Sequence, residues 1–110
     1  MTATMHVLLV EDNLGDAELI AESLRSATDV QFDIRNAYCL EEAMPHLVDD
    51  DVSVVMLDLG LPDSYGLETL HSVREAAPDK PIVVITGNED ETVGLEAVKQ
   101  GAQDYLIKGK

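Results

Sequence analysis

Four polar stretches of this sequence each begin directly after an apolar run. Glu11-Asp12-Asn13 follows Val7-Leu8-Leu9-Val10, and Asp58 follows a run from Val52 to Leu57 that only Ser53 interrupts. Thr86-Gly87 follows Ile82-Val83-Val84-Ile85, and Lys108 follows Tyr105-Leu106-Ile107. Brought to one place, these residues offer carboxylates, a hydroxyl and an ammonium. Crowded carboxylates repel and cannot all ionise cheaply, and a divalent cation relieves that repulsion. A few hard oxygen ligands suit Mg²⁺, which keeps several waters and also binds phosphate oxygens. A carboxylate beside such an ion can attack phosphorus and form an acyl phosphate. Phosphoryl transfer mainly requires positioning and neutralisation of the equatorial oxygens, which Thr86 and Lys108 would share. Asp58 is the natural nucleophile, because it stands alone after its run. Glu11 and Asp12 come as a pair suited to the metal, and Gly87 leaves room for the incoming group.

Taken singly, each residue has an ordinary structural reading. The chain has 22 acidic residues in 110, and runs such as Glu41-Glu42, Asp49-Asp50-Asp51 and Glu89-Asp90-Glu91 read as solvated surface. An Asp after a strand is often a cap or turn residue. A strand-end Thr is usually structural, and a Lys near a C-terminus is usually surface charge. Chemistry is indicated by the combination: complementary types, each at the first polar position after its own run.

That combination needs elements that bring the positions together. Short apolar runs alternate with helical stripes along the chain. Continuous apolar runs are expected of strands buried on both faces. Gln31 to Ala37 alternates and reads as an edge strand. Helical stripes comprise Ala17, Ile20, Ala21, Leu24 and Ala27; Leu40, Ala43, Met44, Leu47 and Val48; Leu67, Leu70, Val73 and Ala77; and Val93, Ala97 and Val98 within a helix from about Glu89 to Gln100. Pro45 falls inside the second stripe and predicts a late helix start there. Pro62, Asp63, Ser64 and Gly66 mark a loop, Pro78 and Pro81 bracket the end of the third helix, and Gly101 fits a helix C-terminus. Strand–helix repeated four times, then a strand, predicts a parallel sheet with helices on both faces. In such sheets ligands bind beyond the carboxyl ends of the strands, where all four polar stretches fall.

The length of 110 residues suits one domain. Seven basic residues against 22 acidic ones leave a formal net charge of −15, which disfavours phosphate backbones and anionic membranes as partners. No apolar run approaches the roughly 18 residues of a membrane span, and no basic, apolar leader precedes His6. A cytoplasmic domain is expected. The single cysteine, Cys39, excludes an intrachain disulfide and reads as an inert thiol, and His6, His46 and His71 lack metal-ligand spacing.

The chain resembles the receiver domain of two-component response regulators. The resemblance rests on Leu9-Val10-Glu11-Asp12-Asn13, Leu57-Asp58-Leu59-Gly60-Leu61-Pro62 with Gly66, Ile85-Thr86-Gly87, and Gly101-Ala102-Gln103-Asp104-Tyr105-Leu106-Ile107-Lys108, in that order over Val7 to Gly109. It implies a flavodoxin-like α/β fold, a doubly wound five-stranded parallel sheet of order 2-1-3-4-5. It implies that Asp58 accepts phosphoryl from a histidine kinase or a histidine phosphotransfer protein, and that the domain catalyses its own phosphorylation and dephosphorylation without other turnover. Glu11, Asp12, Asp58 and a backbone carbonyl near Gly60 would hold Mg²⁺, with Mn²⁺ an alternative. Thr86, Gly87 and Lys108 would meet the phosphoryl group, and Thr86 and Tyr105 would form a rotamer switch. The ordinary reading of Tyr105 is a part-buried strand tyrosine.

The sequence departs from the family pattern at several points. Gly109 replaces the proline that usually follows the lysine, and a cis Lys108–Gly109 bond would cost about 2.5–4 kcal/mol without it. A Lys-Gly ending is similar to receivers fused ahead of further signalling modules. No fifth helix follows the last strand. Apolar surface near Ile20 and Leu24 is therefore expected to be exposed, or covered by a second copy. Residues 1–110 are expected to be one receiver domain cut from a longer chain. Gly60 and Asn88, each two residues past a site residue, have no assigned effect on dephosphorylation. Competing readings are weaker. A dehalogenase-type phosphatase would want a second Asp where Gly60 stands, and a flavodoxin would not place Glu11-Asp12 beside a flavin phosphate. The remaining alternative is a phosphorylation-independent pseudo-receiver that only binds partners.

Overall fold

The computed structural model describes residues 3–27, 29–87 and 91–108. Asn88, the expected helix start at Glu89 and the Lys108–Gly109 peptide lie outside the described residues. The described elements are β1 (Ala3–Val10), α1 (Leu14–Arg25), β2 (Val30–Ala37), α2 (Leu40–Leu47), β3 (Val54–Asp58), β4 (Gly60–Leu61), β5 (Ser64–Tyr65), α3 (Leu67–Ala76), β6 (Ile82–Thr86), α4 (Glu91–Lys99) and β7 (Asp104–Ile107). β2, β1, β3, β6 and β7 form one parallel sheet in that spatial order. Leaving aside the two-residue strands β4 and β5, this is the expected order 2-1-3-4-5, with β2 at an edge.

Strand alternation sends neighbouring side chains to opposite faces. Leu8, Val10, Val55, Leu57 and Val84 pack with Ala43 and Leu47 of α2, Leu70 and Val73 of α3, and Ala97 of α4. Val7, Leu9, Met56 and Ile85 pack on the other face with Ala17 of α1, flanked by Ile20 and Leu24. Among the described residues, one helix therefore serves one face and three serve the other. The expected apolar exposure is present: a groove of about 1010 Å³ runs between Ile20 and Leu24 of α1 and the strand residues Met56, Ile85 and Leu106.

Three local expectations are corrected. Helix α2 does not start late; it begins at Leu40 and continues through Pro45. Proline removes one N–H and so forfeits one i→i−4 bond, a loss this helix carries near its end. Its start is anchored from elsewhere, because the Asp63 carboxylate accepts from the N–H groups of Leu40 at 2.8 Å and Glu41 at 2.9 Å. The loop expected from Pro62 to Gly66 is present as a turn at Pro62 and Asp63, but Ser64 belongs to a short strand, because Gly60–Leu61 pairs antiparallel with Ser64–Tyr65. Gly66 then starts α3 at φ 72°, a conformation that favours glycine. Finally, Ala27 lies past the end of α1 and is exposed, so it takes no part in the buried stripe.

Candidate functional site

Register determines which strand ends meet. Val10 pairs with Leu57, Asp58 with Ile85, and Thr86 with Ile107. The next residue on each strand is then Glu11 beside Asp58, Thr86 one step beyond Asp58's partner, and Lys108 one step past Ile107. Backbone bonds hold the ends of this rim: Glu11 N–H donates to Ala37 C=O at 3.0 Å, and Lys108 N–H to Thr86 C=O at 2.7 Å. Asp12 and Asn13 continue from β1, and Asn13 caps α1 by accepting from Asp16 N–H at 2.9 Å.

The expected residues do converge. Oxygen atoms of Glu11, Asp12 and Asp58 lie within 4.8 Å of one another, a group that could hold a metal ion. Glu11 is fully buried and Asp58 nearly so, while Asp12 is exposed. Lys108 Nζ donates to Asp58 Oδ2 at 2.7 Å and to Asp16 Oδ2 at 3.0 Å. It also lies 2.6 Å from Glu11 Oε1, a buried oxygen that has no hydrogen-bond partner among the described residues. The other Asp58 oxygen, Oδ1, accepts from Gly60 N–H at 2.7 Å. Asp12, Asp58, Gly60, Thr86, Gly87 and Lys108 all line one cleft of about 360 Å³.

The charges separate as this geometry demands. Burial pushes the Glu11 carboxyl up to about 8, aided by the neighbouring Asp58 and only partly opposed by Lys108. Burial acts the same way on Asp58, but its contacts with Glu11, Lys108 and Gly60 N–H outweigh burial and hold it below the usual carboxylate range. Lys108 would be lowered by burial, yet Asp58, Glu11 and Asp16 together raise it. Of the two carboxyls, Asp58 is therefore the one that gives up its proton first, and Glu11 keeps its proton to higher pH.

Two expected site residues are less directly engaged. Thr86 is buried, and its hydroxyl donates to Leu106 C=O at 3.4 Å rather than to a carboxylate. Tyr105 does not line the cleft. Its ring lies against Gly94 of α4, and its hydroxyl is 3.5 Å from Glu91 Oε1. Sequence reasoning missed Asp16. Its signal was the i, i+4 spacing from Asp12, which puts both near the start of one helix. It also missed Asp63, whose capping of α2 joins two distant segments and leaves no local signature.

The family model of the response regulator receiver domain matches residues 7–109. The chain belongs to this family. Its place is two-component signalling, where Mg²⁺ and aspartyl phosphorylation are standard for receiver domains. The regulatory protein LuxO of Vibrio cholerae is 35% identical over 100 residues, which are 91% of this chain and 21% of LuxO. The chain thus spans about a fifth of that relative. The structure of a response regulator from Chloroflexus aurantiacus superimposes with a TM-score of 0.81 at 27% identity, covering 96% of this chain and 85% of that one. A response regulator protein from Burkholderia pseudomallei, determined with a phosphorylated aspartic acid, a calcium ion and citrate, matches with a TM-score of 0.75 at 28% identity, covering 96% of this chain and 61% of that one. Among the described residues, no helix of this receiver domain is long and apolar enough to cross a membrane.

Proposed function

We propose that Asp58 is the phosphoacceptor of this receiver domain and that its donor is a phosphohistidine of a histidine kinase or histidine phosphotransfer protein. The observation that carries this reading is the Asp58 carboxylate itself. It ends the central strand, is kept ionised by Lys108 and the Gly60 N–H, and opens onto a cleft. In the transfer, an Asp58 oxygen bonds to phosphorus as the phosphorus–nitrogen bond of phosphohistidine breaks, and the departing imidazole keeps the electron pair and takes up a proton. Lys108 neutralises charge on the transferred group, and the Thr86 hydroxyl turns from Leu106 C=O toward it. Tyr105 follows Thr86, so the α4 and β7 surface takes one of two arrangements.

The residues present fit a bound divalent cation. Three carboxylates converge, and among the described residues the buried Glu11 Oε1 has no hydrogen-bond partner, only the Lys108 ammonium 2.6 Å away. Glu11, Asp12 and Asp58 would hold Mg²⁺ or Mn²⁺, with the Gly60 carbonyl as a further oxygen. When bound, the ion supplies positive charge against the phosphoryl oxygens and the crowded carboxylates. The likeness to the Burkholderia pseudomallei protein, with its phosphorylated aspartic acid and calcium ion, supports the same reading. A fused downstream signalling module and pairing of two copies are part of the same proposal, and the greater length of the relatives, of which the match covers 21% in LuxO, supports the former.

The test is incubation with acetyl phosphate and Mg²⁺, read by intact mass. The wild type gains one phosphoryl group and Asp58→Asn gains none. No gain in the wild type refutes the reading and leaves a phosphorylation-independent interaction module. Equal gain in the variant refutes the assignment of Asp58.

A further inference from the structure

Lys108 sits among the carboxylates that a cation would use. Its ammonium is 2.6 Å from Glu11 Oε1 and 2.7 Å from Asp58 Oδ2, two of the three carboxylates that converge on the rim. A divalent cation drawn to these carboxylates competes with the ammonium for them, because like charges a few ångströms apart in a partly buried site repel. When the carboxylates turn to a cation, the hold of Glu11 and Asp58 on the lysine weakens. The lysine then needs another anionic partner, or it swings out of the cleft and is lost to the phosphoryl group.

Asp16 has the geometry of that partner. It stands in the first turn of α1, where an acidic side chain ordinarily serves the helix by reaching back to the capping residue's N–H. Here it does not. The Asn13 N–H is turned toward Glu11 Oε2 at 3.4 Å, and the Asp16 carboxylate instead accepts from Lys108 Nζ at 3.0 Å, across 92 positions of sequence. Asp16 is about one-third exposed and is not one of the three converging carboxylates, so it stays available to the lysine.

We infer that Asp16 is a positioning residue. It retains the Lys108 ammonium at the cleft when Glu11 and Asp58 are taken up by a cation and a phosphoryl group. The inference rests on the proposed phosphoacceptor site, but its test is separable from it.

The test is a double-mutant cycle of Asp16→Asn and Lys108→Gln, with two readouts. One is Mg²⁺ affinity, from chemical-shift titration of the metal-free domain. The other is the rate of mass gain with acetyl phosphate. In the presence of Lys108, Asp16→Asn is expected to weaken Mg²⁺ binding and slow labelling by about tenfold each, a coupling ordinary for contacting charged groups. In the Lys108→Gln background the same substitution is expected to act by less than about twofold, the residue of a through-space charge effect. The Asn13 cap uses the Asp16 backbone N–H, which the substitution leaves in place, so circular dichroism should show an unchanged fold. Equal effects in both backgrounds, no effect in either, or no Mg²⁺ binding by the wild type overturns the inference. If the wild type is never labelled but the Mg²⁺ cycle shows coupling, the phosphoacceptor reading fails while the role of Asp16 stands.

Discussion

Glu11 makes the stability of the metal-free domain depend on pH in an unusual direction. Its carboxyl is wholly buried, one oxygen has no hydrogen-bond partner among the described residues, and its pKa is raised from 4.5 to about 8. A group whose folded pKa lies above its unfolded value stabilises the fold fully below the unfolded value. That contribution is lost as pH rises through the folded one. The domain should therefore lose stability from about pH 4.5 to about pH 8 and level off above, at up to about 1.4 kcal/mol per pH unit and at most about 5 kcal/mol in all. Asp58 titrates with the opposite sign, but below its ordinary 3.8, outside this window. The assay is urea unfolding with a metal chelator at pH 5.5, 6.5, 7.5 and 8.5, in wild type and Glu11→Gln. Gln cannot ionise, so the variant's profile isolates everything else that titrates, whatever its absolute stability. Saturating Mg²⁺ should flatten or reverse the wild-type slope, because binding to the ionised carboxyl releases its proton. A metal-free wild type whose stability is flat or rises over this range, or a Glu11→Gln variant with the same slope, refutes the reasoning.

Other substitutions probe the supports of the site. A Cβ on Gly94 would lie 2.6 Å from Tyr105 Cδ2 and 2.9 Å from Cγ, so Gly94→Ala must displace the ring. It should destabilise the wild type by about 1–3 kcal/mol, but stabilise a Tyr105→Ala background by up to about 1 kcal/mol, because only the helix-propensity gain remains; the same sign in both, by denaturant unfolding, would contradict the packing. Asp63→Ala removes both acceptors at the start of α2 and should lower the thermal midpoint without changing the site's Mg²⁺ affinity. Leu70→Ala opens the core on the three-helix face and should cost about 2–5 kcal/mol in urea unfolding while leaving Asp58 labelling intact in the folded fraction. Tyr105→Ala should leave labelling by acetyl phosphate unchanged but abolish the phosphorylation-induced shift changes on α4, read by NMR.

The strands were legible because a strand buried on both faces has a local signature. Val7-Leu8-Leu9-Val10 and Ile82-Val83-Val84-Ile85 are unbroken apolar runs, and each is a central strand of the sheet. The rim was legible for a related reason. A parallel sheet aligns its carboxyl ends, so the first polar residue after each run must fall on one edge. Glu11, Asp12, Asp58 and Lys108 needed no further information to be brought together. The path of α2 through Pro45 was not legible, because the proline penalty is local while the compensating cap comes from Asp63, 23 residues past Leu40. The turn at Pro62 was read correctly as a break, but its short pairing of Gly60–Leu61 with Ser64–Tyr65 has too few residues to show a period.

The sequence by itself determined the alternation of strands and helices, the parallel sheet and the identity of the acidic rim, because periodicity and strand-end position are properties of short segments. Only the tertiary structure decided how the charges at that rim are shared. It buried Glu11 and not Asp12, brought Asp16 to Lys108 across the length of the chain, and turned Thr86 and Tyr105 toward β7 and α4. These outcomes depend on how α1 and α4 are seated on the sheet. That seating is set by the packing of many side chains at once, so the residues at the site do not carry it in their own neighbourhood of sequence.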